Sequence, residues 1–148
     1  MSNEVKQVNK VADVIEVLKA GADFYEESID KATHESVKQV FARMMFEKKA
    51  AIEALQPFAI AEQGEKETGE SIAVNVRNMY TKLVGFLSFD KEHTYISQLE
   101  EVEDKTLEVI DEALAEKQPD TCTLALREIR GTMQACHDEM KALQELTA

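Results

Sequence analysis

Four side chains in this sequence carry a ligating group and could cluster at a similar depth in a set of packed helices: Glu26, Glu100, Glu103 and His137. Three carboxylates and an imidazole would suit iron, manganese or zinc. Glu103 is the centre of the set. The stretch 96–110, ISQLEEVEDKTLEVI, reads as a helix with an apolar stripe of Ile96, Leu99, Thr106 and Ile110, continued by Ala113. The gap in that stripe falls on Glu103. A carboxylate on an otherwise buried face needs a partner, which is a hydrogen-bond donor, a water or a metal.

Lys48 breaks a second apolar seam. Either it snorkels out of the core, or it reaches Glu103 or Glu47 as a buried ion pair. The second outcome opposes metal binding, because a fixed ammonium repels another cation. His137 borders a seam and reads either as a hydrogen-bonded structural residue or as a ligand. Tyr25 lies on a seam, and its hydroxyl needs a polar partner, for which Glu26 is the nearest candidate in sequence. The methionines Met44, Met45, Met79, Met133 and Met140 follow helical spacing and read as core filler. No Gly-rich phosphate loop, Ser/His/Asp set or CxxC pair is present, so nucleotide binding and nucleophilic catalysis have no support.

The elements that must position these residues are helices. The chain has two prolines and five glycines in 148 residues, which favours long helices over many strands. A first helix is expected from about Val5 to Lys31, with a seam of Val8, Val11, Ile15, Leu18, Ala22, Tyr25, Ile29 and Ala32. Thr33 suits the N-cap of a second helix, with Glu35 just inside it. Its seam is Val37, Phe41, Met44, Lys48, Ala51, Leu55 and Phe58, and Pro57 should bend or end it. Residues 62–71 are the most loop-like, and a shorter helix follows from Ile72 to Phe86. Asp90 suits the cap of the third long helix, which should end near Lys117. Pro119 and Asp120 then lead into the last helix, with seam residues Cys122, Leu126, Ile129, Met133, Cys136, Met140 and Leu143.

The expected architecture is one all-α domain over 1–148: a four-helix bundle with a short extra helix in the link between helices two and three. A simple up-down bundle needs no such link, so helices two and three should point the same way. Glu103 then lies ~18 Å in from the start of its helix. Glu100 and His137 fall at nearly that depth, toward the end shared with Tyr25 and Glu26.

The balance of 29 acidic against 17 basic residues gives a net charge of −12, which discounts nucleic acid and anionic membranes as partners. No apolar run approaches a membrane span, and the start carries no basic-then-apolar leader pattern. Cys122 and Cys136 would lie ~21 Å apart along one helix. They cannot pair, so free thiols in a reducing, cytoplasmic compartment are expected.

The chain resembles the ferritin-like superfamily, and within it a bacterial family of ferritin-like bundles known as a domain of unknown function. The matching residues are Gly21-Ala22-Asp23-Phe24-Tyr25-Glu26, Phe41-Ala42-Arg43 through Glu53-Ala54-Leu55, Glu100-Glu101-Val102-Glu103 and Cys136-His137-Asp138-Glu139. Di-iron members of the superfamily carry a carboxylate on each of two helices and Glu-x-x-His on each of the other two. This chain departs from that pattern. Glu47 is followed at the third position by Ala50, and His137 is preceded there by Gln134. The resemblance therefore implies the fold, with a one-metal or degraded site, and little chemistry.

The favoured reading is a non-catalytic bundle, with no cofactor, that self-associates as a homo-oligomer or binds a helical partner. Two others stay open. One is an iron- or manganese-binding oxidoreductase or iron-handling protein built on Glu26, Glu100, Glu103 and His137. The other is a bundle that binds a small apolar ligand between its helices.

Overall fold

A computed structural model of the chain describes residues 7–32, 34–68 and 92–146. Among the described residues the protein is all-α, with four long helices and no strand. They are α1 (Val11–Ser28), α2 (Glu35–Gln63), α3 (Glu92–Ala115) and α4 (Asp120–Leu146), with a 3-10 turn at Ile29–Lys31. The expected helix from Ile72 to Phe86, and the proposed caps Thr33 and Asp90, lie outside the described residues. No helix among the described residues is long and apolar enough to cross a membrane.

Helix α1 begins later than its seam suggested. Val8 is buried, but residues 7–10 are not helical, and Lys10 adopts a left-handed φ of 62°. Long-range contacts hold this segment in place. The Asn9 N–H donates to Oε1 of Gln118 at 2.9 Å, and the Asn9 amide donates to the Lys117 carbonyl at 2.9 Å. The first turn of α1 is capped from another helix: the Ala12 N–H donates to Oε1 of Glu62 at 2.9 Å. A carboxylate there meets both a free N–H and the positive end of the helix dipole.

Helix α2 runs through Pro57 and ends at Gly64, whose φ of 88° and N–H bond to Ile60 O at 2.8 Å form a left-handed C-cap. Pro57 is exposed, so the carbonyl it leaves without a helical donor is on the wet side. Its neighbours Leu55, Gln56 and Ala59 are buried and hold the helix together across it. Beyond the cap, the Gln56 amide brackets Glu67. It donates to the Glu67 carbonyl at 2.9 Å and accepts from the Glu67 N–H at 3.0 Å, folding residues 64–68 back on α2.

These contacts fix the directions of the helices. The start of α1, the end of α2 and the α3–α4 turn share one end of the bundle. Helices α1 and α4 run away from it, and α2 and α3 run toward it. Helix α1 packs on α2 and α3, and α4 packs on α3 and α2. The two pairs that run the same way, α1 with α4 and α2 with α3, therefore occupy the diagonals. The core is the expected set of seams: Leu18, Phe41, Met44, Leu55, Leu99, Ile110, Leu126 and Met133 are fully buried. Side chains of this size contribute about 1.5–3 kcal/mol each. Cys122 and Cys136 are buried free thiols within this core.

Candidate functional site

At mid-height one residue from each helix meets around Glu103. The Tyr25 hydroxyl, from α1, donates to Glu103 Oε1 at 2.6 Å. The Lys48 ammonium, from α2, donates to Oε2 at 3.0 Å. Its next contact is the Met133 sulfur of α4, at 3.6 Å. Tyr25, Lys48, Glu103 and Met133 all have 0% relative exposure. The Lys48 ammonium also lies 5.9 Å from the centre of the Tyr25 ring, near the limit of a cation–π contact. Phe24 and Phe41 wall that ring, edge-on and tilted, at 5.8 and 5.2 Å.

The local sequence explains the placement. Tyr25, Lys48 and Met133 each replace a plain aliphatic residue on an apolar seam, and Glu103 fills the gap in the α3 stripe. The ion pair is neutral as a unit, and each charge has a second polar or polarisable neighbour, which is what burial of a charge demands. Both Glu103 oxygens are occupied. None of the four members has exposed surface, and the cluster is a buried hydrogen-bonded ion pair.

The four residues singled out from the sequence go to different places. Glu103 points into the core. Glu26 is exposed and faces Lys49 at 3.4 Å. His137 is mostly buried at the α3–α4 seam, with Nε2 2.9 Å from Asp104 Oδ1 and Nδ1 3.2 Å from Asp138 Oδ1. The side chain of Glu100 lies outside the described residues. Among the described residues no group of three or more His, Cys, Asp or Glu side chains is arranged to hold a metal ion. The described residues also do not fit a dinuclear centre, because the Lys48 ammonium stands against the carboxylate that would be its central ligand.

Three partners were not identified from the sequence. Tyr25 reaches Glu103 and not Glu26. Met133, read as filler, is the second neighbour of Lys48. Asp104, which no sequence pattern marked, lies 2.9 Å from the His137 ring. The Asp138 carboxyl is held below its ordinary range by the Gln134 amide and then by His137. Burial pushes the Cys136 thiol up to about 11, with Lys48 pulling it down and Glu103 pushing it further up. That thiol lines a surface groove of about 580 Å³ between α2 and α4, with Arg43, Glu47, Glu128 and Glu139. A second groove, of about 590 Å³, runs between α3 and α4 past Asp104, Glu108, Asp111 and Arg130.

The model of the family described as "Domain of unknown function (DUF2383)" matches residues 6–116. The chain belongs to that family. No curated protein and no solved structure matches the chain. The DUF2383 match covers α1, α2 and α3, and with them Tyr25, Lys48 and Glu103. It stops before α4, so Met133 and His137 lie beyond it.

Proposed function

We propose that this DUF2383 protein is a ferritin-like bundle that works by association, with a second copy of itself or with a helical partner, and not by catalysis. The observation that carries the reading is the Lys48–Glu103 contact, 3.0 Å long and without exposed surface. An ammonium on the inward glutamate supplies the positive charge that a metal would supply in a di-iron bundle. It does so with a group that neither changes oxidation state nor binds oxygen. The diagonal, same-direction arrangement of α2 and α3 supports the ferritin-like comparison, since it demands a link that travels the length of the bundle. The two buried thiols support a cytoplasmic location. Both grooves along α4 are open surface features bordered by charged side chains such as Arg43, Glu139, Glu108 and Arg130, and neither is an enclosed apolar cavity.

The test is metal content. Protein purified from cells grown with added iron or manganese should hold far less than one metal per chain, and Glu103→Ala should not change that figure. Metal near one per chain, lost in Glu103→Ala, would overturn the proposal in favour of an iron- or manganese-binding protein using Glu103 with Glu26, Glu100 or His137. Dioxygen consumption by the metal-loaded protein would make that protein an oxidoreductase.

A further inference from the structure

The outward face of α2 differs from the rest of the surface in two ways. It carries the most exposed large apolar side chain of the described residues, Phe46 at 67%, together with Ile60 at 44%. It is also nearly balanced in charge. With Lys48 buried in the core, α2 turns Lys38, Arg43 and Lys49 outward against Glu35, Glu47, Glu53 and Glu62. Helix α3 sets Lys105 alone against eight acids, and the whole chain carries −12. Two such acidic molecules approach each other with least repulsion through α2.

We propose that the outer face of α2 is the contact by which two copies of this chain pair antiparallel about a two-fold axis. This rests on the association reading above and names its surface. Arg43, Phe46, Ala50, Glu53, Pro57 and Ile60 follow a three-and-four spacing opposite the buried seam, and all six are exposed. Antiparallel pairing centred on position 48 sets Phe46 of one copy against Ala50 of the other, a large side chain over a small one. The same register sets Arg43 against Glu53, Lys49 against Glu47, and Ala42 against Ala54. The four charges nearest the centre, Arg43, Glu47, Lys49 and Glu53, then each meet an opposite charge, and this central pattern is self-complementary, as a two-fold contact requires. Within one chain Arg43 pairs with Glu139 on the exposed surface, a contact easily exchanged. A single helix pair is a small interface, so the dimer is a weak one.

The experiment is sedimentation of the full chain across a roughly thousandfold range of concentration. The wild-type chain should shift from monomer to dimer. Phe46→Glu should raise the dissociation constant by about tenfold or more, with unchanged helix content. Arg43→Glu and Glu53→Arg should each weaken the dimer, and the double charge swap should restore it. A wild-type chain that stays monomeric throughout overturns both this proposal and self-association. A chain that dimerises regardless of Phe46→Glu overturns the surface alone and leaves the association reading intact. A monomer in which Phe46→Glu lowers only thermal stability assigns Phe46 to a contact within the chain, and also overturns the proposal.

Discussion

The Lys48 ammonium and the Glu103 carboxylate face each other at 3.0 Å, from helices on a diagonal of the bundle that have few other contacts. The pair therefore ties together two elements that the packing of neighbours leaves apart. Removing one partner strands a charge in the core. Lys48→Met or Glu103→Leu alone should cost about 3–5 kcal/mol, whereas the double variant should be close to wild type or more stable. Urea unfolding of all three variants measures this. Equal losses in the singles and the double would mean that packing volume, not charge, decides.

Tyr25→Phe removes the donor to Glu103 Oε1 and keeps the ring between Phe24 and Phe41. A hydrogen bond to a buried charged group of this kind is worth about 1.5–3 kcal/mol. The loss should be smaller in a Lys48→Met/Glu103→Leu background, where no carboxylate remains to be satisfied. A double-mutant cycle by chemical denaturation reads that coupling.

Cys122 and Cys136 should resist alkylation in the folded protein. Burial pushes both thiols up to about 11, with Glu62 adding to the shift at Cys122. In the unfolded chain they ionise near ~8.5, so the unfolded state loses its protons first as pH rises. The stability contributed by the neutral thiols is complete below that value and falls through to about 11. Denaturant midpoints measured in steps across that range should decline. Replacing both cysteines with alanine should remove this part of the decline.

Glu62→Ala should cost about 1 kcal/mol, because the Ala12 N–H at the start of α1 loses its acceptor. The effect should be local. Hydrogen exchange should accelerate in the first turn of α1 and remain slow around Tyr25 and Phe41.

Much of this fold was legible because helical seams depend on spacing alone. Leu18, Phe41, Leu55, Leu126 and Met133 are buried where their periodicity puts them, and the breaks in the pattern at Lys48 and Glu103 mark the buried pair. What spacing cannot give is the stagger of one helix against another. Tyr25 and Glu26 are adjacent in sequence, but a helix turns ~100° per residue, so one faces Glu103 and the other faces solvent. His137 turns to Asp104 for the same reason. The start of α1 at Val11 was illegible because Asn9 is fixed by Gln118, 109 positions away. Pro57 failed to end α2 because its ring faces outward and its buried neighbours hold the turn.

Because every neighbouring pair of helices in this bundle is antiparallel, the backbone dipoles cancel in pairs. Each end presents two amino termini and two carboxyl termini, so the scaffold has no electrical poles of its own. Whatever field an approaching molecule senses is written by side chains around the girth, strongly negative along α3 and nearly blank along α2.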